Sequence, residues 1–313
     1  MTKKLIIDTD CGIDDAIAIL MALADPTIEV IGITCVSGNV PLDLVKRNVA
    51  IVLDAAGAGD IPIFGGADRP LLGAAVHAGR VHGQDGLGDA GFPTSARAIE
   101  PEPGVLALAS LARDNPGATL LALGPLTNVA LALAVQPDLP RLLGETVLMG
   151  GAVHALGNAT PVAEFNIYAD AEAAAMIFER DLNPTVLTWE ATLDTPVIWA
   201  AWDRLLDSGS IGTRFVGPMT AALSSRAHER QRPGILMPDP LAMAVLLDRD
   251  CATTYGATVA VDISHGIGHG MTAIDHAGVT GRPHNAQIVA KVDPARFERM
   301  LERAIRMECR LGA

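Results

Sequence analysis

The stretch KLIIDTDCGIDDA, Lys4 to Ala16, places four aspartates, Asp8, Asp10, Asp14 and Asp15, within eight residues directly after an apolar run. No lysine or arginine lies among them. Carboxylates held a few ångströms apart repel unless one takes up a proton or a cation intervenes. Oxygen donors alone select a hard cation, Ca²⁺ or Mg²⁺. Part of the cluster also has plain structural uses. Asp14 can begin a helix, where free backbone donors and the dipole favour a carboxylate, and Asp8 can accept local hydrogen bonds at a strand end. An EF-hand is excluded, because counting from Asp8 the sixth position, where that loop needs glycine, is Ile13.

To bring such residues together the chain needs a scaffold, and short runs of Ile, Val and Leu alternate here with alanine-rich helical patterns. That is how parallel strands covered by helices on both faces read. The pattern predicts strands over Leu5–Asp8, Glu29–Val36, Ile61–Phe64, Thr119–Leu123, Thr146–Met149 and Thr185–Thr188. It predicts helices over Asp14–Ala24, Leu42–Ala56, Leu126–Ala134 and Asp170–Glu179. A longer helical segment is expected over Ser210–Arg232, then strands over Thr258–Asp262 and Gln287–Val292 and a last helix from Pro294. The fold class is α/β, a doubly wound, mostly parallel sheet, in a single domain over residues 1–313 without internal repeats. In such sheets ligands bind beyond the carboxyl ends of the strands. That rim collects the aspartates after the first strand, Ser37, Gly38 and Asn39 after the second, Gly124 to Asn128 after the fourth, and Gly150 and Gly151 after the fifth.

Composition bounds the partners. A net charge of -13 with no basic, aromatic-interleaved patch argues against nucleic acid and leaves small neutral ligands or cations. No apolar run reaches the roughly 18 residues of a membrane span, and the apolar run before Asp8 is too short for a signal peptide. Four dispersed cysteines without a CxxC pair fit a reduced protein, so a cytoplasmic location is expected.

The ordered set DTDCGIDDA, VSGN, HGQDGLG, LGPLTN, MGGA, GNATPVAEFN and DPLA spans nearly the whole chain. It resembles the nucleoside hydrolases, calcium-dependent enzymes that cleave the N-glycosidic bond of ribonucleosides. The resemblance implies Ca²⁺ held by Asp10, Asp15, Asp239 of DPLA and the main-chain carbonyl of Leu123. It implies ribose contacts from Asp14, Asn39, Asn158, Glu164 and Asn166, and a substrate contact from Met149. A fence of amides and carboxylates also suits several hydroxyls, and rejects a sugar lacking one by leaving buried groups unpaired. Breaking such a bond builds positive charge on the ribosyl carbon, which surrounding carboxylates stabilise. The metal lowers the pKa of a water, and Asp10 is expected to take its proton as general base. The resemblance also implies a dimer or tetramer.

One position departs from the family pattern. Many members have a histidine directly before the DPLA aspartate, and this chain has Pro238. Two histidines are candidates to serve the departing base instead: His82 in the VHGQDGLG loop, as catalytic acid or base contact, and His228 in RAHERQR. Cys11 reads as a small packing residue, since thiolates prefer softer metals than calcium. His265 and His269 sit in a glycine-rich run that reads as a turn, not a helical metal face. Trp189, Trp199 and Trp202 read as packing residues. Two other activities fit the aspartates: a calcium-dependent nucleoside-binding protein without turnover, and a phosphatase whose first strand ends in DxD.

Overall fold

A computed structural model describes residues 2–154 and 156–311. Nine strands form one sheet: β1 (Lys3–Thr9), β2 (Ile28–Cys35), β3 (Ile63–Gly65), β4 (Thr119–Ala122), β5 (Glu145–Met149), β6 (Thr185–Leu187), and near the C-terminus Ala252–Val261, Thr272–Asp275 and Ala286–Val292. Strand order begins β3-β2-β1-β4-β5-β6, continues through Ala286–Val292 and Ala252–Val261, and ends on Thr272–Asp275. Every neighbouring pair is parallel as far as Ala286–Val292; the last two pairings are antiparallel. The order reverses between β1 and β4, so the crevice between their carboxyl ends is the topological switch point where ligands bind in open α/β sheets.

Side chains alternate across the strands and feed two cores. Leu5, Ile7, Leu121, Val147 and Met149 join one, while Ile6, Leu120, Ala122 and Leu148 join the other. The first core is covered by helices including Ile13–Ala24, Leu42–Ala55, Pro238–Leu247 and Pro294–Ile305; the second by Gly104–Asp114, Thr127–Val135 and Ala171–Phe178. Ile13–Ala24 is buried over ten of its twelve residues, wedged between the sheet and helices Pro238–Leu247 and Pro294–Ile305.

Most predicted elements occur with ends shifted by a residue or two. The expected helix over Ser210–Arg232 divides into a π-helical turn, Gly212–Val216, and a helix, Gly217–Glu229. Pro218, lacking an N–H, sits in the first turn of the second piece, where none is needed. The expected strand Thr258–Asp262 is the end of a ten-residue strand. The His265 to His269 run is the connection from that strand to Thr272–Asp275, as its glycines suggest. Trp202 is buried in the first core, and Trp189 and Trp199 pack against it.

No helix among the described residues is long and apolar enough to cross a membrane.

Candidate active site

β1 ends in the middle of the sheet, so the residues after it are enclosed: Asp8, Asp10 and Asp15 are inaccessible, and Asp14 is 8% exposed. Asp14 and Asp15 occupy the first turn of helix Ile13–Ala24, and Asp239 the first turn of helix Pro238–Leu247, packed beside it. Both helices therefore aim their positive ends at the same point. One carboxylate oxygen each from Asp14, Asp15 and Asp239 lies within 4.8 Å of the others. Among the described residues this is the one such group of three or more potential ligands.

Asp10 joins them from the strand side. Its Oδ2 accepts the Asn39 backbone N–H at 2.7 Å and its Oδ1 the Asn39 side-chain amide at 3.1 Å. The same amide reaches Asp15 Oδ2 at 3.2 Å. Asp15 also accepts from the Thr9 hydroxyl at 2.5 Å and the Gly12 N–H at 2.8 Å. The closest trio thus includes Asp14 where Asp10 is expected; Asp10 lies beside it, tied to Asp15 through Asn39. Asn39, assigned to the sugar by resemblance, is also the strap that ties β1 and the following helix to the end of β2.

Two glycines permit these approaches. A Cβ on Gly38 would collide with Asp10 Oδ2, and one on Gly12 would lie 2.5 Å from His82 Nδ1 and 2.7 Å from Asn39 Nδ2. Between Asp10 and Gly12, Cys11 takes a left-handed backbone, φ 30°, held by its N–H to Thr9 Oγ1 at 3.0 Å and its carbonyl to Asn48 at 3.2 Å. Its thiol is a core residue, as expected.

The electrostatics reflect crowding in a dry site. Burial, then Asp15, holds Asp10 well above the usual carboxylate range. Burial together with Asp14, Asp15 and Asp10 does the same to Asp239. Burial raises Asp14 to about 6, and burial with Asp14 raises Asp15. Asp14 Oδ1 is buried without a hydrogen-bond partner. A set of buried carboxylates this close fits a hard divalent cation, which would remove the repulsion, and the unanswered Asp14 oxygen is left to accept from a ligand hydroxyl.

Asp8 belongs to the support. Its Oδ1 accepts from Thr34 at 2.5 Å and Asn128 at 2.7 Å, and burial raises it to about 7. Its backbone carbonyl accepts the Leu123 N–H at 2.8 Å, fixing the residue after β4. Leu123's own carbonyl accepts the Asn166 amide at 2.7 Å, and that amide reaches the Met149 carbonyl at 3.1 Å and sulfur at 3.4 Å. A carbonyl has a second lone pair, so this bond leaves Leu123 able to ligate. Asn166 therefore draws together the ends of β4 and β5. Glu164 caps the short helix Phe165–Ala169, accepting from Asn166 N–H at 2.9 Å and Gly151 N–H at 3.1 Å. Burial lifts it to about 7. Asn158 is exposed and accepts the Phe165 N–H at 2.8 Å, closing the loop on which these residues sit.

His82 is buried, and its Nδ1 accepts the Ile13 N–H at 3.1 Å at the start of the aspartate-bearing helix. That leaves Nε2 as the protonated nitrogen. The Nδ1 to Asp14 Oδ1 separation of 3.6 Å is thus proximity without a hydrogen bond. Burial pushes the imidazole down to about 4, so at neutral pH His82 offers a hydrogen bond and not a mobile proton. His228 is exposed and stacks on Trp199, with ring centroids 3.7 Å apart and an interplanar angle of 19°. Arg226, on the same helix, instead reaches the site's rim, its Nη2 donating to the Val81 carbonyl beside His82. Residue types alone single out neither Arg226 nor Thr9 and Asn128; the last two lie inside DTD and LGPLTN, where the motifs mark them without giving a role.

A profile described as "Inosine-uridine preferring nucleoside hydrolase" matches residues 5–299. The pyrimidine-specific ribonucleoside hydrolase RihA of Citrobacter koseri is 34% identical over 305 residues, covering 96% of this chain and 97% of that protein. The inosine-uridine preferring nucleoside hydrolase of Leishmania major is 32% identical over 303 residues, 95% of each. The solved structure of an inosine-guanosine nucleoside hydrolase superposes with TM-score 0.91 at 34% identity, covering 97% of this chain and 99% of that one. A carboxylate crevice at the sheet's switch point, in a chain matched end to end by such relatives, has one reading: this protein belongs to the inosine-uridine preferring nucleoside hydrolase family and is a nucleoside hydrolase.

Proposed function

We propose that the chain hydrolyses the N-glycosidic bond of ribonucleosides with a calcium ion held by Asp10, Asp15, Asp239 and the Leu123 carbonyl. The observation that carries this is the meeting of buried carboxylates from two helix N-termini, Asp14, Asp15 and Asp239, with Asp10 joined to Asp15 through the Asn39 amide. When bound, calcium would supply charge to polarise a water and to grip ribose hydroxyls.

The residues do the rest. Asp14, Asn39, Met149, Asn158, Glu164 and Asn166 line up the ribose from three strand ends, and a sugar missing a hydroxyl leaves some of these buried groups unpaired. As the bond to the base lengthens, positive charge on the ribosyl carbon is met by the surrounding carboxylates. Asp10 takes the proton of the attacking water. Asn39 holds both Asp10 oxygens, which fixes the direction of that transfer. His82, through Nε2–H, is assigned to contact the base.

The test is ribose release from a panel of purine and pyrimidine ribonucleosides, before and after treatment with a calcium chelator. Release that stops with chelation and returns with calcium supports the reading. No release from any of them by the calcium-loaded protein refutes it in favour of a nucleoside-binding protein.

A further inference from the structure

A departing base takes the bonding electron pair with it, and the groups around the aspartates offer it little. The aspartates carry the wrong sign. Pro238, directly before Asp239, has no proton to give. His82 spends Nδ1 on the Ile13 N–H and keeps a single neutral donor. Arg226 is a cation held at this rim: it projects from helix Gly217–Glu229, is partly exposed, and its Nη2 donates to the Val81 carbonyl, one residue from His82. Packing on this side is tight, because the same helix runs so close to the Gly83–Gly88 loop that a Cβ on Gly88 would strike the Met219 carbonyl. The guanidinium is thus anchored by one of its N–H groups and has others to spare.

We propose that Arg226, and not a proton-donating acid, stabilises the departing base as an anion; this rests on the hydrolase reading under Proposed function. The bond between the ribosyl carbon and the base nitrogen breaks with both electrons going to the nitrogen. Water oxygen bonds to that carbon and its proton goes to Asp10. The anionic base pairs with the guanidinium, then takes a proton from bulk water as it leaves, and the hydroxide so formed is neutralised by the proton that Asp10 releases. A planar fork of donors prefers a planar ligand with adjacent acceptors.

The experiment compares wild type, Arg226→Gln and Arg226→Lys on inosine, uridine and 4-nitrophenyl β-D-ribofuranoside, whose leaving group is already a stable anion. Removing one charge-stabilising donor should lower kcat for inosine and uridine by about 100-fold. The nitrophenyl substrate should stay within about 3-fold, since the ribose and the water meet unchanged groups, and that result also shows the variant is folded. Arg226→Lys should recover part of the lost rate. An equal loss on all three substrates, or none on inosine and uridine, overturns the proposal. Wild type that releases ribose from none of the three fails the hydrolase reading itself, a separate outcome.

Discussion

Replacing Asp239 by asparagine separates the two jobs of the carboxylate cluster. With one oxygen each of Asp14, Asp15 and Asp239 within 4.8 Å, a pair of ionised groups repels by about 3 kcal/mol at an effective dielectric of about 20. Proton uptake relieves part of this at low pH, so the test belongs at about pH 8, where the cluster is most charged. In chelator, Asp239→Asn should be as stable as wild type or more so, because it removes a repelling charge and keeps the shape. Calcium at about 100 times its Kd should stabilise wild type by about 2.7 kcal/mol, near 5 °C in Tm at roughly 2 °C per kcal/mol. The variant should lose that shift, and with it ribose release. Thermal unfolding with and without calcium reads both quantities. A variant destabilised by several degrees in chelator yet still shifted fully by calcium would refute the reasoning.

The same geometry sets three other outcomes. Gly38→Ala should fold but lose at least about 100-fold in kcat, since its methyl must displace Asp10; a crystal structure or calcium-binding measurement would locate the shift, and wild-type kcat would contradict it. Glu164→Gln should keep the helix cap yet lower kcat/KM by roughly 10- to 100-fold, the worth of a charged hydrogen bond, with a smaller loss on at least one deoxyribose analogue; equal losses on every sugar would count against a hydroxyl contact. The third concerns pH. Burial raises Asp8 and Glu164 to about 7 and Asp14 to about 6, so above about pH 4 the folded chain holds protons on three carboxyls that the unfolded one has lost, outweighing the proton that His82, pushed down to about 4, gives up. For raised carboxyls the stabilisation present below the unfolded value is lost as pH climbs through the folded one. Calcium-free protein should therefore weaken between about pH 5 and 8, and calcium binding should release protons, seen as a buffer-dependent heat; stability rising over that range would contradict the assignment.

Much of the fold is legible because the chain writes its central strands as unbroken apolar runs that end in polar residues, and β1, β2 and β4 end where Leu5–Asp8, Glu29–Val36 and Thr119–Leu123 place them to within one residue. Helix Pro238–Leu247 does not show in the periodicity, since two prolines at its start resemble a loop; both lie in the first turn, which tolerates them. Strand Thr272–Asp275 is hidden by its glycine-rich surroundings. Within the site, residue types show which groups could act, but not that Asn39 binds Asp10 and Asp15 together, because that bond joins the ends of two different strands. Arg226 escapes notice for a similar reason: a helix rich in alternating charge reads as a solvated face, and only the fold lays it against the loop carrying His82.

The left-handed turn at Cys11 has a use in watching the molecule move. Burial pushes the thiols of Cys11 and Cys35 well up and that of Cys251 to about 12, so none offers an appreciable thiolate while its surroundings stay closed. Cys11 stands between Asp10 and Gly12, whereas Cys251 and Cys309 lie in the C-terminal part. The rate at which a thiol reagent labels each one is therefore a clock for the opening of its own region. Slowing of the Cys11 clock alone by calcium would time the breathing of the active crevice apart from the rest of the sheet.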